Sequence, residues 1–102
     1  MDIANIINAI QANRVNITQH ARKEAKDDNL LLDEILYSTR NGEIIEDYPD
    51  DTPYPSCLVY GQNQDTYPVH SVWAYATDSQ IAILITVYRP DPNRWVDWKI
   101  RK

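Results

Sequence analysis

The hydrophobic pattern of this chain changes at Gly42, and that change limits the folds open to it. Before Gly42, apolar residues recur at the i, i+3, i+4 and i+7 spacing of an amphipathic helix, as in Ile3, Ile6, Ile7 and Ile10. After Gly42, short runs rich in β-branched and aromatic residues alternate with turn signals, which is typical of strands. Helices followed by a meander of strands predict an α+β fold.

Three helices are predicted before Gly42. The first covers residues 2–13, and Asp2, Thr18 and Asp33 are the expected N-caps of the first, second and third helices. After Gly42 the sequence predicts four strands, at residues 44–48, 57–60, 67–76 and 81–88. The last of these is apolar on both faces, so we expect it to be central or covered on both sides.

The length of 102 residues predicts a single domain that covers residues 1–102. No segment approaches the roughly 18 consecutive apolar residues of a membrane-spanning helix. The N-terminus lacks the basic start and apolar run of a signal peptide. Cys57 is the only cysteine, which excludes an internal disulfide and fits a reducing compartment. We therefore expect a cytoplasmic protein that has no contact with membranes.

The net charge of −5 at pH 7 argues against simple electrostatic attraction to nucleic acid, but the charges are unevenly distributed. Residues 14–26 carry four basic side chains against one acidic, and residues 89–102 carry five against two. Residues 27–88 carry eleven acidic side chains and one basic. The sequence therefore predicts a basic surface built from both ends of the chain and an acidic surface from its middle.

The chain has only two histidines, His20 at the start of the second predicted helix and His70 in the third predicted strand. Histidine titrates near neutral pH, so two of them can divide the acid and base roles of a reaction. If the fold brings both close to Tyr88 and an arginine, the site can cleave RNA without a metal, because RNA supplies its own 2′-hydroxyl nucleophile. One cysteine and two distant histidines fall short of a zinc motif, so no metal or other cofactor is expected.

Five short runs carry a resemblance to a known family, and they occur in that family's order and spacing: His20–Arg22, Gly42–Pro49, Pro55–Val59, Val69–Val72 and Ile85–Asp91. From about residue 15 to residue 98 the chain resembles the bacterial family known as domain of unknown function 4258. That family is similar to a branch of the RelE/ParE-type toxin superfamily. The resemblance implies N-terminal helices packed on a four-stranded, mainly antiparallel sheet of the RelE type.

The same resemblance implies a function. Several branches of the superfamily are endoribonucleases that cleave messenger RNA, either free or on the ribosome, and are controlled by an adjacent antitoxin. We therefore expect the toxin of a bacterial type II toxin–antitoxin pair. Its expected partners are a cognate antitoxin and RNA, with no direct contact to DNA.

For a metal-independent endoribonuclease, His20 and His70 are the predicted acid and base. Tyr88 is predicted to assist proton transfer or to donate a hydrogen bond to the phosphate. The guanidinium fork suits phosphate oxygens, and the predicted phosphate- and RNA-binding residues are Arg22, Lys23 and Arg89. The two imidazoles must then lie within reach of one nucleotide, about 10 Å.

Other interpretations of these residues remain open. A lone histidine beside a helical apolar stripe, such as His20, is more often a surface or packing residue than a catalyst. Tyr88, on the strand face predicted for Leu84, is suited to the core. A non-catalytic protein-binding module would use an acidic and aromatic docking surface, formed by Glu43, Glu46, Asp47, Asp50, Asp51, Tyr48, Tyr54 and Trp95. A metal-dependent hydrolase would use Asp47, Asp50 or Asp51 with a histidine, although these acids show no recognisable ligand spacing.

Overall fold

The structure is a computed structural model that describes all 102 residues. It contains three helices of nine residues each: α1 (Ile3–Gln11), α2 (Gln19–Asp27) and α3 (Leu32–Arg40). Asp2 and Thr18 are the N-caps of α1 and α2, as the sequence predicts, and their side chains accept hydrogen bonds from backbone N–H groups of the first turn. None of the three helices is long and apolar enough to cross a membrane.

Helix α3 begins earlier than the sequence predicts. Its N-cap is Leu31 rather than Asp33, and the Glu34 carboxylate accepts a 3.1 Å hydrogen bond from the backbone N–H of Leu31. Asp33 lies in the first turn, where the positive end of the helix dipole favours a carboxylate. The predicted cap is therefore wrong, because an acidic residue at the N-cap and one in the first turn give similar sequence signals.

Seven strands complete the fold: β1 (Val15–Ile17), β2 (Glu43–Tyr48), β3 (Ser56–Gln62), β4 (Pro68–Ala76), β5 (Ile81–Tyr88), β6 (Trp95–Val96) and β7 (Ile100–Arg101). Five of them form one sheet in the order β1-β5-β4-β3-β2, and β6 and β7 form a separate hairpin. Strand β1 runs parallel to β5, whereas all other neighbouring strands are antiparallel.

The prediction of a four-stranded, mainly antiparallel sheet of the RelE type is wrong. The large sheet has five strands and is mixed, because β1 adds a parallel edge strand beside β5. Strand β1 has only three residues, and its pairing of Val15 with Ala82 joins distant parts of the chain. A run this short carries no measurable periodicity, so the hydrophobic pattern could not reveal it.

The three helices pack on one face of the large sheet and enclose the hydrophobic core. Each helix contributes buried side chains to a single cluster, including Ile6 from α1, Ala21 from α2 and Ile35 from α3. Trp73 of β4 and Leu84 of β5 meet them from the sheet. This packing places the whole helical layer on one side of the sheet.

The hairpin of β6 and β7 covers the opposite face. Two ion pairs attach it to β2: Lys99 Nζ lies 3.0 Å from Glu43 Oε1, and Arg101 Nε lies 2.7 Å from Glu46 Oε2. Trp95 of the hairpin is only 5% exposed, so it packs against the sheet rather than facing solvent. His70, which faces away from the core on β4, therefore lies beneath this hairpin.

Helix α3 crosses β3 so closely that no side chain fits at position 61. A Cβ atom on Gly61 would lie 1.8 Å from the carbonyl oxygen of Ser38. A Cβ atom on Gly42 would meet the same oxygen at 2.7 Å and that of Tyr60 at 2.6 Å. The two glycines of the chain thus permit the close approach of α3 to the sheet.

Candidate active site

Three aromatic side chains form a row across β3, β4 and β5, beneath the hairpin. The strand register places His70 directly opposite Tyr60 on one side and Tyr88 on the other. The centroid of the His70 ring lies 6.0 Å from that of Tyr60, 5.3 Å from that of Tyr88 and 4.5 Å from that of Trp95, each in an edge-to-face arrangement. His70 is therefore completely buried between the sheet and the hairpin.

A β-bulge decides which face of β5 carries Tyr88. The pairing of β4 with β5 shifts by one position and leaves Ile85 without a partner. Leu84, before the bulge, joins the core beneath the helices, while Tyr88, after it, lies beside His70 on the other face. The sequence interpretation that Leu84 and Tyr88 share a face is wrong, because strict alternation makes no allowance for an inserted residue.

The proton positions on His70 follow from its two hydrogen bonds. Its Nε2 lies 2.6 Å from the backbone carbonyl oxygen of Trp98, which can only accept, so Nε2 carries a hydrogen. In the neutral ring Nδ1 is then an acceptor, and it lies 3.1 Å from the Tyr88 hydroxyl, which donates to it. Burial lowers the pKa of His70 below its usual value, which favours this neutral form.

Tyr88 connects the buried histidine to an open cavity of about 450 Å³. Burial raises the pKa of the Tyr88 phenol, so its hydroxyl keeps its proton at neutral pH. Basic side chains dominate the rest of the cavity, which is lined by Arg89, Arg94 and Arg101 together with Asp91 and Trp95. The cavity therefore combines a hydrogen-bonded phenol with three guanidinium groups, an arrangement suited to a phosphate ester.

The arginines at the hairpin end of the cavity differ in their freedom to bind a ligand. Arg101 donates two hydrogen bonds to the Glu46 carboxylate, at 2.7 and 3.0 Å, and its guanidinium lies 4.7 Å from the ring centroid of Trp95. Arg94 is exposed, and its side chain makes no hydrogen bond or ion pair within the protein. Arg94 is therefore the guanidinium group most available for an incoming anion.

Arg89 is held by the connection between α2 and α3. Its side chain donates to the backbone carbonyl oxygens of Asp28 and Asn29, both at 3.0 Å, and lies 3.1 Å from the Glu34 carboxylate. It lines the cavity beside Tyr88, but most of its hydrogen-bonding capacity is used internally. Its predicted role in RNA binding is therefore less favoured by the geometry than a role for Arg94.

The remaining predicted site residues lie on α2, in the helical layer. His20 is exposed, and its Nε2 lies 3.3 Å from the Glu24 carboxylate rather than beside His70. Lys23 pairs with Asp27 at 2.9 Å, and Arg22 is exposed on the same helix. Of the predicted residues, the structure brings together His70, Tyr88 and Arg89. It does not bring His20, Arg22 or Lys23 to them.

The acidic and aromatic residues considered for a docking surface are largely engaged within the fold. Glu43 and Glu46 are paired with the hairpin, the Tyr48 hydroxyl donates to Glu46, and Trp95 is buried. Glu46 has a pKa below its usual value, chiefly because Arg101 donates hydrogen bonds to it. Nowhere do three or more histidine, cysteine or acidic side chains gather closely enough to hold a metal ion.

Three contributors to this site were absent from the sequence predictions. They are Arg94, Arg101 and the backbone carbonyl group of Trp98. The positive charge of residues 89–102 was a signal for the two arginines, but it gave no indication of where the segment packs. A backbone acceptor leaves no signal in side-chain identity, so no sequence pattern could reveal the role of Trp98.

Comparison with known proteins identifies a family for the part of the chain that carries His70 and Tyr88. No curated protein and no solved structure is significantly similar to the chain. A family model described as Domain of unknown function (DUF4258) matches residues 17–89, a range that contains His70 and Tyr88 and ends before the hairpin. Because this match covers more than half of the sequence, the chain belongs to the DUF4258 family.

Proposed function

We propose that this protein is a metal-independent endoribonuclease and the toxin of a bacterial type II toxin–antitoxin pair, with messenger RNA as its substrate. One observation carries the proposal: the Tyr88 hydroxyl donates to a buried, neutral His70, and Tyr88 lies in the wall of a cavity that three arginines also line. The family resemblance supports the toxin assignment. The arginine-lined cavity supports a phosphodiester substrate, because guanidinium groups bind phosphate oxygens in bidentate geometry.

In the proposed reaction, the hydroxyl of Tyr88 relays a proton to His70. The RNA 2′-hydroxyl gives its proton to the Tyr88 oxygen, while Tyr88 passes its own proton to Nδ1 of His70. The 2′-oxygen forms a bond to phosphorus, and the bond from phosphorus to the 5′-oxygen breaks. The leaving oxygen takes a proton from water in the open cavity, and His70 later returns its proton to solvent through Tyr88. The products are a 2′,3′-cyclic phosphate and a 5′-hydroxyl.

Burial of His70 sets the starting state of this relay. Because burial lowers the pKa of His70, the ring enters the reaction neutral, with a lone pair on Nδ1. The Trp98 carbonyl oxygen accepts from Nε2, which orients the ring and stabilises the imidazolium that forms. Arg94 binds the phosphate, where it stabilises the negative charge that develops as the 2′-oxygen attacks. This mechanism assigns no chemical step to His20, which lies on the helical layer.

Cleavage of a labelled oligoribonucleotide in the presence of a chelator tests the proposal, with and without ribosomes. We expect the wild-type protein to produce 2′,3′-cyclic phosphate ends. We expect Tyr88→Phe to lower kcat by about 100-fold or more, since positioned acid–base groups contribute roughly 10²–10⁴-fold. Tyr75→Phe is the matched control, because Tyr75 is also partly buried and its hydroxyl has no hydrogen-bond partner in the protein.

Two further measurements separate cleavage from binding. Arg94→Ala should raise KM or lower kcat without changing the thermal stability, because Arg94 is exposed and unpaired. Expression of the wild type in cells should arrest growth, and expression of Tyr88→Phe should not. Equal cleavage by Tyr88→Phe and the wild type would rule out the proposed proton relay through Tyr88. Absence of cleavage under every condition would favour the non-catalytic binding module instead.

A further inference from the structure

An apolar groove lies between α2 and α3, in the helical layer and away from the cavity at Tyr88. Its volume is about 240 Å³, and its lining includes Leu84 and Ile35 together with Ala25 and Leu32. Leu32 is 45% exposed, and Leu31 beside it is 71% exposed. Adjacent exposed leucines beside an open apolar groove form a patch of the kind that marks an interaction site.

Two unpaired basic side chains flank this groove. Arg22 and Lys26 are four residues apart on α2, so they lie on the same side of the helix. Both are exposed, and neither side chain has a hydrogen-bond or ion-pair partner within the protein. Lys23 on the same helix differs, because it pairs with Asp27 at 2.9 Å. Like charges at this spacing repel each other, so the arrangement favours an external anion at this flank.

We propose that this groove binds an acidic amphipathic segment of a partner protein. Apolar side chains of the segment enter the groove against Leu84 and Ile35, and carboxylates beside them pair with Arg22 and Lys26. The volume of about 240 Å³ is smaller than the roughly 300–1,000 Å³ of typical small-molecule sites, so it suits one or two inserted side chains. A helix that presents apolar residues at positions i, i+3 and i+4 has the matching geometry.

Two other occupants fit the groove less well. RNA would place phosphates against an apolar lining, where they lose hydration without gaining enough partners. A second copy of this chain, docked through the same groove by two-fold symmetry, would bring Arg22 and Lys26 of both molecules together without a counter-charge. An acidic segment with apolar anchors matches both the apolar lining of the groove and the positive charge of Arg22 and Lys26. This inference uses residues distinct from Tyr88 and His70, so it stands independently of the proposed reaction.

A synthetic peptide provides the test. The probe is a fluorescein-labelled peptide of about 16 residues, or about four helical turns, with leucines along one face and glutamates beside them. A second peptide replaces every glutamate with lysine. Fluorescence anisotropy should show saturable binding of the acidic peptide to the wild-type protein and none of the basic peptide.

Variants of the protein locate the binding. The double substitution Arg22→Glu and Lys26→Glu should weaken binding by about tenfold or more, as expected when two charge pairs are reversed. Leu32→Ser should weaken it several-fold without unfolding the protein, because Leu32 is partly exposed. Lys23→Glu is the matched control on the same helix and should bind within about twofold of the wild type. Circular dichroism confirms that each variant is folded.

Four results would overturn the proposal. The first is equal binding of the acidic and basic peptides, and the second is no saturable binding up to about 1 mM peptide. The third is displacement of the peptide by an oligoribonucleotide, which would show that Arg22 and Lys26 bind RNA instead. The fourth is self-association of the wild type that the Leu32→Ser variant abolishes, which would assign the groove to a second copy.

Discussion

Replacing Gly61 with alanine tests how closely α3 approaches the sheet. The added Cβ would lie 1.8 Å from the carbonyl oxygen of Ser38 and 2.6 Å from its carbonyl carbon, whereas ordinary contacts begin near 3.4 Å. Both atoms belong to the helix backbone, so no side-chain rotation relieves the overlap. The helix and the strand must therefore separate by more than about 1 Å, which disturbs the packing of the buried residues between them.

The size of the effect follows from two opposing terms. Overpacking a core costs about 1–3 kcal/mol, and an overlap with backbone on both sides belongs at the upper end of that range. Loss of the conformational freedom of glycine in the unfolded chain returns about 0.4–1 kcal/mol. We expect Gly61→Ala to lower the free energy of unfolding by about 2–3 kcal/mol, which corresponds to a fall in Tm of roughly 8–24 °C.

Gly42→Ala is the graded comparison. Its Cβ would meet backbone oxygens at 2.6 and 2.7 Å, so shifts of less than about 1 Å relieve the overlap. We expect a net loss of about 1 kcal/mol or less. Urea unfolding followed by tryptophan fluorescence measures both variants, since Trp73 is buried in the core. Two results would refute the reasoning. One is a loss of unfolding free energy below about 0.5 kcal/mol for Gly61→Ala, and the other is a larger loss for Gly42→Ala than for Gly61→Ala.

Two further predictions concern buried titratable groups. Because burial lowers the pKa of His70 from 6.5, the unfolded chain binds more protons than the folded chain just below that pH. The free energy of unfolding should therefore decrease as the pH falls from 7 to 5, and His70→Asn should show a flatter dependence; equal slopes would contradict this. Burial raises the pKa of Cys57 to about 12, so a thiol reagent at about pH 8 should modify Cys57 only after unfolding. A colorimetric thiol assay with and without denaturant measures this difference.

The helices were predictable because their signals are local. Asp2 and Thr18 cap α1 and α2 through hydrogen bonds to residues of the next turn, and the isoleucines of α1 follow helical spacing. Strand β1 was not predictable, because its evidence lies in the distant strand β5 rather than in its own three residues. Sequence periodicity therefore identified the long elements and missed those whose existence depends on a remote partner.

The candidate site, like the fold, could be predicted from the sequence only in part. The sequence identified His70, Tyr88 and Arg89 as chemically informative, and the strand register brings these residues together. It could not show that His20 lies apart from them, because the spatial relation of α2 to the hairpin depends on the tertiary fold. Nor could it reveal the bulge at Ile85, which has no distinctive residue type and yet decides which face carries Tyr88.

In the turn that joins β6 to β7, a backbone carbonyl group determines which nitrogen of the His70 ring carries the proton. Asp97 and Trp98 have φ angles of 51° and 66°, a left-handed conformation that is uncommon for so large a residue as tryptophan. This turn places the Trp98 carbonyl oxygen, a main-chain atom, on Nε2 of His70. Alanine scanning leaves that oxygen in place, so a residue-by-residue survey of the hairpin would overlook the group that selects the imidazole tautomer.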